Sequence, residues 1–109
     1  MNVRTLNKFK GGWVVGNFSP AVLRTKKFEF SVKKYRKGDC DDTHYHKKAI
    51  EVTVVVSGQF RVNGKKLGPG SVFMFKPREV SSFACLKNGY TAVVKTRSVK
   101  GDKYIVEKQ

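Results

Sequence analysis

GDCDDTHYHKKAIEVTVVVSG, residues 38–58, carries two histidines one residue apart, His44 and His46, and then a lone acid, Glu51, at the head of a β-branched run. In an extended strand residues i and i+2 point to the same face, so both imidazoles project from one side of a sheet. Two neutral imidazoles and a carboxylate on one wall form a common ligand set for a divalent first-row metal. Glu51 also lies within an otherwise apolar run, where an ionised carboxylate is costly without a partner. A metal or a neighbouring imidazolium would supply one.

The flanking sequence has the texture of a β protein. Ile50–Ser57 reads as the strongest strand, with Ile50, Val52, Val54 and Val56 on one face and Glu51, Thr53, Val55 and Ser57 on the other. Upstream, Lys27–Arg36 alternates, with Phe28, Phe30 and Val32 opposite Lys27, Glu29 and Lys33. Trp13–Val15 reads as a short strand, and Ala21–Arg24 as another or a single helical turn. Gly38–Thr43 reads as a polar loop, with extended structure resuming at His44. Downstream, Ser57-Gly58, Asn63-Gly64, Leu67–Gly70 and Asn88-Gly89 are turn signals. They separate the strands Gln59–Val62, Ser71–Phe75, Val80–Leu86 and Tyr90–Arg97, and Tyr104–Glu107 reads as a last one. No segment sustains a 3.6-residue apolar period. Short strands with turns about every 8 to 12 residues point to an all-β sandwich or barrel.

Composition sets outer limits. A chain of 109 residues makes one domain with a real core, expected over about residues 10–98 with loosely held ends. No stretch approaches the roughly 20 apolar residues of a membrane span, and the N-terminus lacks the continuous apolar segment of a secretory signal. Cys40 and Cys85 form neither a CxxC pair nor a disulfide framework, which points to reduced thiols and a cytoplasmic protein. Twenty-three Lys and Arg against eight Asp and Glu leave a formal charge of +15, which attracts anions and says nothing of fold. The bases come as scattered pairs, whereas Asp39, Asp41, Asp42 and Glu51 share the stretch that holds both histidines.

The opening stretch resembles the first signature of the cupin superfamily: a glycine, five residues, His-x-His, three or four residues, Glu, six residues and a glycine. Gly38, His44, His46, Glu51 and Gly58 satisfy every spacing. The resemblance covers about residues 10–98 and implies a double-stranded β-helix, a small jelly-roll barrel, often a homodimer, with a ligand or metal in the barrel mouth. The second cupin signature is degenerate. Counted from Gly70, its histidine falls on Ser81, and a one-residue slip that aligns Pro77 puts it on Ser82, so the third histidine of metal-holding members is absent.

The candidate metal ligands are therefore His44, His46 and Glu51, for Fe, Mn, Ni or Zn. Cys85 is a soft fourth donor in principle and a buried structural thiol by habit. Tyr45, between the histidines, faces away from them. Ser81 and Ser82 could hydrogen-bond a ligand hydroxyl. Arg61, Lys76 and Arg78 suit a phosphate or carboxylate wherever they reach the mouth. Asp41 and Asp42 read as loop-capping residues.

Three functions are compatible with these residues. One is a binding module for a small polar or anionic ligand such as a sugar or sugar phosphate. Another is a metal-dependent enzyme of oxygenase or isomerase type, the isomerase chemistry also open to His44 or His46 as a metal-free general base. The third, contact with nucleic acid through the +15 charge, lacks any helix-turn-helix, RRM or KH signature.

Overall fold

In the computed structural model, which describes residues 1–106, two short 3-10 turns (Leu6–Lys8 and Lys10–Gly12) lead into eleven strands. These are β1 (Trp13–Gly16), β2 (Leu23–Arg24), β3 (Phe28–Tyr35), β4 (Cys40–His46), β5 (Ile50–Val55) and β6 (Gln59–Val62). β7 (Lys65–Leu67), β8 (Val72–Phe75), β9 (Ser81–Lys87), β10 (Gly89–Thr96) and β11 (Lys103–Ile105) follow within the described residues. One sheet has the order β2-β1-β3-β10-β5-β8 and the other β11-β4-β9-β6-β7. From β3 onward sequential strands alternate between the sheets, apart from the β6–β7 hairpin, as in a jelly roll.

Most turns lie where Gly and Asn predict. Asn63 (φ 47°) and Gly64 (φ 80°) close the β6–β7 hairpin in the left-handed conformation that this dipeptide favours. Gly58 is held more tightly: φ is +81°, and a Cβ there would stand 2.6 Å from the carbonyl oxygens of Lys87 and Asn88.

Alternation decides what each strand buries. Outward, β3, β5, β8 and β10 present Phe28, Val52, Val72, Met74 and Val94, with Val72 64% and Met74 50% exposed. Inward, the middle of this sheet is polar: the cross-strand rung Glu29–Lys95–Glu51 lies beside the rung Ser31–Val93–Thr53. The apolar core fills the other end of the barrel with Val55, Phe60, Val62, Phe75, Phe83 and Cys85. Phe60 stacks on Phe83 at 5.0 Å, and Tyr35 meets Phe60 edge-on at 5.5 Å. Phe60 is fully buried, and deleting such a ring costs about 3–5 kcal/mol. One end of the barrel is therefore plugged with aromatics, and the opposite end is left for polar side chains.

The structure corrects two readings of the sequence. Cys40–Thr43 is not a loop, because β4 begins at Cys40 and pairs with β9. Residues 102–105 are not a loose tail either, since β11 pairs with β4 and Asp102 is buried. Glu107, the expected end of the last strand, lies outside the described residues.

Candidate metal centre

β4 and β5 bring the candidate ligands together. His44 and His46 are 7% and 5% exposed, and both face the interior. Their rings meet edge-on with centroids 5.2 Å apart. Glu51 enters from the facing sheet, and its Oε2 lies 3.1 Å from His46 Nε2. One donor atom from each of the three residues falls within a 4.8 Å group.

Backbone carbonyls orient both rings. His44 Nδ1 donates to the Asp42 carbonyl at 2.7 Å, and His46 Nδ1 donates to the Asp102 carbonyl at 3.0 Å. With Nδ1 protonated, the neutral ring carries its lone pair on Nε2, the arrangement typical of metal-bound histidine. Burial is the main cause that holds the His44 pKa down, against the opposing pull of its bond to Asp42, so the ring is neutral at neutral pH. Burial by itself would raise the Glu51 carboxyl. The His46 hydrogen bond and the charge of Lys95 outweigh it and hold the carboxyl below its ordinary value. His46 faces an acceptor on each side, so Nε2 needs either a proton or a cation between it and Glu51.

A β-bulge adds a fourth polar group. Asp41 pairs with Phe83 and His44 with Ser81, so three residue steps on β4 match two on β9. Strict alternation would set Asp41 and His44 on opposite faces, but the extra residue turns both inward. Asp41 accepts a long hydrogen bond from Tyr35 Oη at 3.4 Å. Burial first and Asp41 second push the Tyr35 phenol far above its usual pKa. Asp41 is therefore a wall residue of the interior and not a loop cap. Ser81 is buried and lines the same cavity as His44 and Glu51. Ser82 is exposed, and its N–H donates to Asn63 Oδ1, so of the two serines only Ser81 occupies the place of the absent histidine.

The other candidates lie elsewhere. Arg61 is exposed on the face of β6 opposite Phe60 and Val62 and reaches the Gly64 carbonyl, away from the histidines. Its guanidinium suits an anionic ligand at the mouth, but strand parity turns it outward. Tyr45 stacks on Tyr104 at 5.4 Å. Cys85 sits in the apolar core, with its thiol donating to the Lys87 carbonyl and its pKa raised by burial. Lys76 and Arg78 are exposed in the β8–β9 loop, where the Arg78 N–H donates to the His46 carbonyl. Strand parity also splits the basic pairs: Lys34 is exposed, whereas Lys33 is half-buried with its ammonium over the Trp13 ring. Burial is the main cause that lowers the Lys33 pKa.

Space sorts the possible occupants. The cavity beside His44 and Glu51 measures about 20 Å³, room for one water-sized group. A sugar does not fit in that space. Larger space lies at the polar end of the barrel, where a 260 Å³ cleft has His46 in its wall together with Lys95, Arg97, Lys100 and Lys103. Sequence reasoning missed these last four, because residues 95–103 come near His46 only through the pairing of β10 and β11.

No family model matches the sequence, and no curated protein matches it. Solved structures do resemble it. An uncharacterized conserved protein with a double-stranded β-helix domain from Klebsiella pneumoniae superimposes with a TM-score of 0.70 at 22% identity, over 80% of this chain and 76% of that one. An RmlC-like cupin from Shewanella frigidimarina gives 0.61 at 23% identity, over 72% of each chain. A Bacillus subtilis oxalate decarboxylase described for its Mn(II) centres gives 0.65 at 17% identity, over 75% of this chain but 25% of its own. The two facing sheets, the strand order and these likenesses together make the chain a small domain of the cupin, double-stranded β-helix fold.

Proposed function

We propose that this chain is a mononuclear metal-binding cupin in which His44, His46 and Glu51 hold one divalent first-row ion. The observation that carries the proposal is the convergence of three donor atoms within 4.8 Å, with both Nδ1 atoms already bound to carbonyls. Neutral imidazoles and an ionised carboxylate are the forms that a metal takes. Fe, Mn, Ni and Zn suit such a mixed set, and a structural relative is described for Mn(II) centres. A bound ion would supply Lewis acidity. The chain itself orients the imidazoles through backbone carbonyls and excludes bulk water by burial.

Elemental analysis of untagged protein tests this: about one equivalent of a transition metal is expected, lost in a His44→Ala, His46→Ala variant. Protein that comes out metal-free and refuses all four ions at micromolar concentration overturns the proposal.

We also infer that the apolar outer face of β3, β5, β8 and β10 is covered by a second copy of this chain. Phe28, Val72, Met74, Tyr90 and Val94 are exposed there. On a chain of net charge +15, this face offers an anionic partner little. A two-fold pairing brings like apolar surfaces together, as isologous interfaces do.

A further inference from the structure

The polar end of the barrel carries a second feature beyond the triad. The 260 Å³ cleft beside His46 shares Phe18, Glu29 and Lys95 with a neighbouring 190 Å³ cleft whose wall includes Trp13 and Pro20. Four cations line the first cleft and aromatic rings line the second.

Two acids in the first cleft, Glu29 and Asp102, leave its four cations in excess. Asp102 spends both carboxylate oxygens on the N–H groups of Lys47, Lys48 and Ala49. Glu29 accepts from Ser98 Oγ at 2.7 Å and lies 3.9 Å from Lys95 Nζ. Lys95 joins the two spaces to the triad, because it pairs across strands with Glu51 and its ammonium lies 4.8 Å from the Trp13 ring centroid. Arg97, two residues on and exposed in the cleft wall, is held at φ +83°, a backbone conformation that a non-glycine residue adopts at a cost and that clusters at functional sites.

We propose that the joined clefts bind a small aromatic carboxylic acid, its carboxylate received by Lys95 and Arg97 and its ring lying along Phe18 and Trp13. This names the substrate class for the metal site proposed above and rests on that site, whose His46 stands in the wall of the first cleft. One carboxylate suits the charge pattern better than a phosphate dianion, because the Glu29 carboxylate stands in the wall common to both clefts. Arg97 offers a planar, bidentate match to a carboxylate, and the aromatic walls favour an apolar body over a hydroxylated one.

Calorimetric titration with benzoate, acetate and inorganic phosphate, on chelator-stripped and on Mn(II)-reloaded protein, tests the proposal. Benzoate is expected to bind both forms, more tightly than acetate or phosphate. Arg97→Gln should weaken it about tenfold, the loss of one charge-assisted contact. Lys34→Gln, on the outer face, should leave it unchanged. Equal affinity for phosphate, or benzoate binding that Arg97→Gln does not alter, overturns the proposal. Protein that takes up metal but binds no benzoate overturns it and leaves the metal site standing. Protein that binds benzoate but refuses metal supports the carboxylate cleft and overturns the metal site.

Discussion

Asp102→Asn tests how the tail organises the site. Asp102 Oδ1 accepts from Lys47 N and Lys48 N at 3.1 and 3.2 Å, and Oδ2 accepts from Lys48 N and Ala49 N at 3.2 and 3.0 Å. These bonds fold the β4–β5 turn that sets His46 against Glu51. Asparagine keeps the shape but replaces one acceptor by an NH2 donor that faces an N–H. Hydrogen bonds to an ionised group contribute about 1.5–3 kcal/mol each. Lys47 and Lys48 are exposed and regain water, whereas Ala49 is 3% exposed and its N–H is left without a partner.

The expected loss is about 3 kcal/mol, or on the order of 10–20 °C in the melting midpoint for a domain of this size. Burial alone would raise the Asp102 carboxyl, but the N–H bonds of Ala49, Lys48 and Lys47 outweigh it and depress the folded-state pKa. The stabilisation is therefore complete above the unfolded-state value of about 3.9 and is lost as pH falls through the lower folded-state value. Thermal melts of native and D102N protein between pH 7 and strong acid should converge at the acid end. A D102N midpoint within about 3 °C of native at neutral pH, or a difference that does not shrink in acid, would refute the role given to this carboxylate.

Three further outcomes follow from named contacts. Glu51→Gln keeps the size of the side chain and removes its charge, so metal affinity measured by competition dialysis should fall by at least about tenfold to hundredfold. Gly58→Ala must place a methyl 2.6 Å from two backbone carbonyl oxygens, whereas Gly38→Ala, at φ +94°, meets open space. The second should cost about 1–2 kcal/mol for its left-handed backbone, the first clearly more, and equal losses in denaturant unfolding would contradict the packing described. Met74→Lys with Val72→Lys should turn a dimer into a monomer in sedimentation velocity, and a native protein that is already monomeric at high concentration removes the second-copy interface.

The His-x-His pair, Glu51 and the hairpin turns were legible in the sequence because they obey local rules: i and i+2 share a strand face, and Asn-Gly prefers positive φ. Signature spacing carried the fold for the same reason, since its glycines and histidines mark turns and strand faces that are close along the chain. It could not distinguish Gly38 from Gly58, whose difference lies in the β9–β10 turn packed against only one of them.

What required the folded chain was non-local. Asp41 joins the interior because a bulge shifts β4 against β9, and register between strands is not encoded in either strand alone. Ser81 and not Ser82 faces the triad, and Arg61 faces away, through the parity of strands set by the whole barrel. Asp102 and the cations at 95–103 meet the histidines only when β10 and β11 pair into their sheets. Local chemistry therefore named three candidate ligands, and long-range strand pairing decided what surrounds them.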